Sequence, residues 1–368
     1  MYLFFVNAAA ILLLKLLVRD DRLQSSQGRQ TRLYLILAMS YLAALAILRS
    51  YTVGSDTDNY LHVFRQIGRQ TDIFSYLRKT GHEKGFVLYV WFLMRLFHEP
   101  RIIFMLSSAF MFFSAGRFFS RYTKSDWLSV YLFFTLLIFD FYLSGFRQTM
   151  AIAILGFAFD KALERRFLPF LLLVLLAMSF HSSAVIFLAV YFISRVKSDR
   201  HYVIITLTAG VAALVLWPML LSLLLRVFPR YSYYVGDSEF GGDGKLAVFS
   251  KMAVYLVILI VGKMIRERDG LPPLSPQDQL MQRLVWLLPL LGLVSLRATV
   301  ISRFFRYFEI FAAVYVPNVV VIRKSEKNRG VLAVLIVVLF FLYALVIQLL
   351  RTPEWQQTYP YTFFWQIG

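Results

Sequence analysis

Long apolar runs alternate with short polar stretches along the chain. The runs lie at roughly 2–18, 33–48, 101–119, 128–145, 147–163, 167–181, 183–195, 202–225, 247–265, 284–299, 303–322 and 331–350, and each predicts a helix. A helix that crosses a bilayer needs about 20 apolar residues, with about 17 as a lower limit. Several runs are short and borrow aromatic and small polar residues at their ends, as near Tyr142, Ser144 and Ser182. Segment 86–97 is weaker still, and its length suits a re-entrant or interfacial helix better than a span. The pattern predicts an all-α, polytopic integral membrane protein of about 12 transmembrane helices plus that re-entrant or short helix. It reads as a single polytopic domain over 1–368, with outward-facing loops at 49–85 and 226–251. The first run has no basic segment before it, so it is expected to be a permanent helix and not a cleaved signal. The sequence shows no clear repeat and no nucleotide-binding glycine motif.

Composition narrows the class. Hydrophobic residues make up 59% of the 368 positions and charged residues 16%, against about 25% charged in a soluble domain. That excludes an ordinary soluble enzyme and a disordered chain. Cysteine is absent, which excludes disulfides, Cys-ligated zinc and thiol catalysis. The net charge of +18 in a soluble protein would suggest nucleic acid. In a membrane protein it reports positive-inside bias, anionic lipid or an anionic substrate, and no nucleic acid is expected.

The cations also set an orientation. Of the 39 Lys and Arg residues, 22 fall in one set of loops, including Arg195 to Arg200, Arg266 to Arg283 and Arg323 to Arg329. Those loops are expected in the cytoplasm. With 86–97 re-entrant, both termini then lie outside; if it crosses fully, loop 49–85 or the N-terminal part flips.

The remaining cations concentrate at a few places on the outer side. Arg147 and Gln148 begin a helix directly after Ser144–Gly145. A helix start offers free N–H groups and a positive dipole end, and arginine adds a planar fork that binds phosphate through two hydrogen bonds. The alternative is an arginine anchored at the interface or paired with Asp140. Arg303 and Arg306 are three residues apart on one helix face with Tyr307. Two cations inside an apolar run call for an anion, which is either a substrate or, for Arg306, the nearby Glu309. His181 sits between two apolar runs and is followed by Ser182 and Ser183. Its imidazole could act as a general base near neutral pH or simply cap a helix end. Asp56, Asp58 and Glu83 are the outer carboxylates that could act as bases or bind sugar hydroxyls. Tyr60, Tyr307 and the group Tyr231, Tyr233 and Tyr234 offer aromatic faces for sugar rings, although interfacial belts use tyrosine too. The five histidines show no metal-ligand spacing, so no metal is expected.

In order along the chain stand Gly54, Asp56 and Tyr60 in a G-x-D-x-x-x-Y loop, then H-E-K-G-F from His82 to Phe86. F-R-Q-T-M-A-I-A runs from Phe146 to Ala153, F-H-S-S-A from Phe180 to Ala184, and R-x-x-R-Y-F from Arg303 to Phe308. This order resembles the EpsG family of Wzy-type bacterial exopolysaccharide and O-antigen polymerases, over about 49–310. The R-Q-x-x-A and F-H-S-S-A pair is the more specific part. The resemblance implies a GT-C-like helical fold and a multi-pass enzyme of the bacterial inner membrane with its active site facing the periplasm. It implies undecaprenyl-diphosphate-linked oligosaccharide as substrate, no nucleotide sugar and no cofactor. Membrane lipids, a flippase and a chain-length regulator of the same pathway are the implied partners. In that setting Arg147, Gln148, Arg303 and Arg306 would hold the lipid diphosphate. His181, Asp56 or Glu83 would take the proton from the acceptor hydroxyl, and Tyr60 and Tyr307 would meet sugar rings. A lipid-linked oligosaccharide flippase and an O-antigen ligase are the competing readings. A flippase would be expected to show repeats and charges at mid-membrane depth.

Overall fold

A computed structural model describes residues 2–18, 33–227, 243–297, 299–350 and 356–366. Tyr231, Tyr233 and Tyr234, and most of the loop expected at 226–251, lie outside the described residues. Among those described the chain is helical with no strand; one isolated antiparallel bridge joins Arg49 and Phe363.

In chain order the helices are α1 (Tyr2–Leu17), α2 (Leu33–Leu48), α3 (Thr57–Gly68), α4 (Ile73–Lys79), α5 (Lys84–Phe97) and α6 (Pro100–Tyr122). They continue with α7 (Asp126–Thr135), α8 (Ile138–Ser144), α9 (Phe146–Leu163), α10 (Phe167–Met178), a 3₁₀ helix (Ser182–Phe187) and α11 (Leu188–Ile193). Next come α12 (Asp199–Val215), α13 (Trp217–Val227), α14 (Asp243–Arg268), α15 (Pro276–Ser295), a second 3₁₀ helix (Thr299–Tyr307), α16 (Glu309–Val321) and α17 (Glu326–Leu350). By length and composition α6, α14 and α17 can cross a membrane, and up to six spans result if each of three bent pairs counts as one. Shorter apolar helices are α1, α2, α10 and the stretch Ser182–Ile193.

Three runs that read as continuous helices are broken. Run 128–145 bends by 59° between α7 and α8, where Leu137 takes a left-handed φ of 60°, a conformation a β-carbon disfavours. Run 202–225 bends by 80° between α12 and α13. Pro218 there has no N–H to donate and crowds the preceding turn. Run 303–322 bends by 47° and begins as a 3₁₀ helix. Loop 49–85 is largely helical. In α3 the residues Tyr60, Phe64 and Ile67 are buried and Asp58, His62 and Arg65 are exposed, an amphipathic pattern that a search for apolar runs passes over.

The chain forms two compact units, residues 1–188 with 326–368, and residues 189–325. In the first, α9 is an interior helix, flanked by α6, α8, α10 and the first 3₁₀ helix. Helix α17 is tied in by the Tyr131 hydroxyl, which donates to the Val337 carbonyl, and by Gln348 Nε2, which donates to Asp140 Oδ2. The segment 356–366 crosses loop 49–56. Ser50 N–H donates to the Thr362 carbonyl, Gly54 N–H to that of Gln357 and Ser55 N–H to that of Gln356, each at 2.9 Å. In the second unit, α15 packs against α12, α14, α16 and the second 3₁₀ helix. Arg283 reaches Asp199 at 2.7 Å, and Arg323 reaches Asp269 at 3.0 Å.

Candidate active site

Two close approaches of backbone build the site in the first unit. The start of α5 lies against the end of α10, with Phe86 N–H donating to the Ser179 carbonyl at 3.0 Å. A β-carbon on Gly85 would stand 2.1 Å from Ser179 Oγ and 2.9 Å from the Ser179 carbonyl oxygen. Only glycine allows this contact, and it sets Glu83 beside His181 and Ser182. Loop 49–56 lies against the end of α8 in the same way. Gly54 has φ +94°, and a β-carbon there would fall 2.4 Å from the Leu143 carbonyl oxygen. This contact places α3 and Tyr60 beside the start of α9.

Glu83 joins the pieces. Its Oε1 accepts from both the backbone N–H and the hydroxyl of Ser182, each at 3.2 Å, and lies 3.9 Å from His181 Nδ1. Its Oε2 accepts from Arg147 Nη1 at 2.5 Å. Arg147 also donates from Nε to the Tyr60 hydroxyl at 3.0 Å. Its guanidinium centre stands 5.5 Å from the Phe86 ring and 5.9 Å from that of Tyr60. The side chains of Glu83, His181 and Arg147 are 8%, 15% and 22% exposed. Burial works against the Glu83 charge, but Arg147, the Ser182 N–H and His181 outweigh it and hold the carboxyl below its usual range. Glu83 is therefore an anion at neutral pH and a weak base in this arrangement.

Tyr60 is buried among rings. Phe146 lies 5.3 Å from it, and Phe64 and Phe86 lie 6.0 Å away. Its hydroxyl accepts from Arg147, and the guanidinium also lies over its ring. Asp56 is exposed just before α3 and acts electrostatically on Tyr60. Gln148 is buried in α9. Asp140, the partner offered for Arg147 by sequence, is bonded to Gln348, and Glu83 takes its place. Ser182 as a double donor to Glu83 was not anticipated; its position directly after His181 was the only signal for it.

The second unit holds the other expected residues. Arg306 Nη1 donates to Glu309 Oε2 at 2.9 Å, the partner that the three-residue spacing offers. Lys251 on α14, which the sequence did not single out, donates to Glu309 Oε1 at 2.6 Å. Arg303 is exposed on the 3₁₀ helix, where residues three apart lie above one another. Tyr307 is 2% exposed, so its ring faces protein.

The sequence pattern of the EpsG family matches residues 32–363 and takes in both units. The chain belongs to the EpsG family. That family is one of Wzy-like polysaccharide polymerases. No curated protein and no solved structure matches the chain. Four family-like motifs therefore meet at one point of the first unit: Tyr60, Glu83, Arg147 and the His181–Ser182 pair. A guanidinium fixed by two bonds and an imidazole, each within 4 Å of one carboxylate, can bind an anion and move a proton.

Proposed function

We propose that this EpsG-family chain is a polysaccharide polymerase that joins undecaprenyl-diphosphate-linked oligosaccharide repeat units at the periplasmic face of the bacterial inner membrane. The observation that carries the reading is the Arg147–Glu83–Ser182 arrangement beside His181. In this reading the four shorter apolar helices and also α9 and α15 serve as spans, giving about 12, in a GT-C-like arrangement. A flippase and a chain-length regulator act with it.

The reaction breaks the bond between the donor's anomeric carbon and its phosphate oxygen and forms one from that carbon to an acceptor hydroxyl oxygen. Negative charge grows on the leaving lipid diphosphate, and the acceptor loses a proton. Arg147, already turned by Tyr60, donates to the diphosphate as that charge develops, which favours the transition state over the ground state. His181 takes the acceptor proton as general base. The imidazolium that forms is met by Glu83, whose tie to Arg147 loosens as the diphosphate draws the guanidinium away. Asp56 faces the acceptor as an alternative base. Gln148, next to Arg147 on α9, extends the binding of the lipid diphosphate.

The test is reconstitution of the purified chain into proteoliposomes with a lipid-linked repeat unit. Chain growth on the lipid is expected, together with its loss in Arg147→Ala. Translocation without growth would indicate a flippase. Transfer that requires a lipid A core acceptor would indicate a ligase.

A further inference from the structure

Arg49 follows directly on α2 and is 7% exposed. One Nη1 hydrogen goes to the Ala46 carbonyl at 2.5 Å, as an arginine at a helix C-terminus commonly does. The same nitrogen lies 3.5 Å from Ser108 Oγ on α6. The guanidinium centre stands 5.2 Å from the Phe104 ring. Its Nε–H, fully buried, has no hydrogen-bond partner, and no carboxylate lies within ion-pair range of the side chain among the described residues. A buried guanidinium keeps its proton, and burying a charge with no counter-ion is costly. Arg101, at the start of α6, adds a second cation. Its guanidinium lies over the Phe364 ring, 3.0 Å from its centre, and Tyr361 is within electrostatic reach of both arginines. Segment 356–366 brings Tyr361 and Phe364 to this place.

A chain of rings separates this position from Arg147. Phe104 carries Arg49 on its face and packs on Phe146 at 5.3 Å and Phe64 at 5.0 Å. Those rings pack on Tyr60 and Phe86, which hold Arg147. The two arginines are thus distinct cation centres of one unit, joined by an aromatic wall.

We infer that Arg49, with Arg101 and Ser108, forms a second diphosphate-binding site, which holds the acceptor's diphosphate while Arg147 holds the donor's. This rests on the polymerase reading. Joining two lipid-linked units brings two diphosphates to one protein, and a single arginine centre cannot bind both. The Arg49 Nε–H and Arg101 supply charge-assisted donors, which are the strong ones for phosphate oxygens.

The test uses a sugar-free polyprenyl diphosphate as probe, with binding to the full chain in nanodiscs of zwitterionic lipid followed by native mass spectrometry. Two occupancies are expected for the wild type. Arg49→Gln should weaken one of them by on the order of tenfold or more, the loss of one charge-assisted bond. Arg147→Gln should weaken the other. A parallel arm with inorganic pyrophosphate tells a lipid-borne anion from a free one; Arg49-dependent binding of either supports the site. An Arg49→Gln protein that keeps both occupancies at wild-type strength, or a wild type with only one, overturns the inference while leaving the polymerase reading standing. A wild type that binds no polyprenyl diphosphate and extends no chain refutes that reading itself. If Arg49→Gln does not fold, Arg49→Lys and Arg101→Gln carry the same measurement. Weakening of one occupancy supports the site, and unchanged binding in both variants overturns it.

Discussion

Glu83→Gln isolates what the carboxylate charge contributes. The amide oxygen can still accept from Ser182, so the contact between the start of α5 and the turn at His181 survives. The change removes the charge opposite Arg147 and beside His181. Breaking a buried ion pair by removing one partner costs about 3–5 kcal/mol, while exposed pairs contribute only about 0–1 kcal/mol. Arg147 is 22% exposed and keeps its bond to Tyr60, so we expect a stability loss of about 1–3 kcal/mol, between those limits. The effect on chain growth should be larger. In the proposed mechanism the imidazolium formed at His181 loses its neighbouring carboxylate, and most of the base's contribution, about 10²–10⁴-fold, should be forfeited. Arg147→Gln leaves Glu83, 8% exposed, without its cation; burial then pushes its carboxyl up, and both functions suffer together.

The double variant therefore decides the matter. Because each single change spoils the other residue, Glu83→Gln with Arg147→Gln should be far less harmful than the product of the two. A coupling of about 1–3 kcal/mol is expected, in the range found for residues in direct contact. The assay is the initial rate of chain growth in proteoliposomes at matched protein level, alongside thermal stability in detergent. Strictly additive effects in both measurements would show that the two residues act independently, and the coupled mechanism would fall.

His181→Gln should bind lipid-linked substrate yet extend chains about 10²–10⁴-fold more slowly; a near wild-type rate would move the base to Asp56. The tie held by Glu83 stabilises the fold fully above the carboxyl's unfolded pKa and is lost as pH falls through its lowered folded value. The stability curves of wild type and Glu83→Gln should accordingly converge in strong acid, and parallel curves in a pH titration of thermal stability would refute this. Gly54→Ala places a β-carbon against the Leu143 carbonyl at φ +94°, and a loss of about 1–3 kcal/mol is expected in detergent melts. Single cysteines introduced at Asp58 and Arg268 of this Cys-free chain should be labelled by an impermeant reagent from the outside and only after permeabilisation, respectively; the reverse pattern would invert the topology.

Apolar runs located most of the helices because burial and lipid both demand them: α2 covers the predicted 33–48, and α9 begins one residue before the predicted 147. They could not locate α3. Its average hydropathy is low, and only the spacing of Tyr60, Phe64 and Ile67 marks it as a helix with one buried face. Breaks at Leu137 and Phe308 were equally hidden. No proline or glycine stands at either one, and the bends arise from packing that a single sequence does not display. Pro218 was visible and should have divided run 202–225.

The site residues were legible because a membrane-embedded chain tolerates few charges, and those it carries need partners or ligands. That argument singles out Arg147, Glu83 and His181 one at a time. It does not pair them, since Glu83 and Arg147 are 64 residues apart and Glu83 and Ser182 are 99 apart. The information that pairs them resides in glycine. Gly85 lets α5 lie on Ser179, and Gly54 lets the loop before α3 lie on Leu143, so two backbone contacts bring three distant motifs to one carboxylate. Each glycine stands two residues from a motif side chain, Gly85 after Glu83 and Gly54 before Asp56. The motifs therefore record two different requirements, a charged group for the chemistry and a missing side chain for the approach, and neither alone would assemble the site.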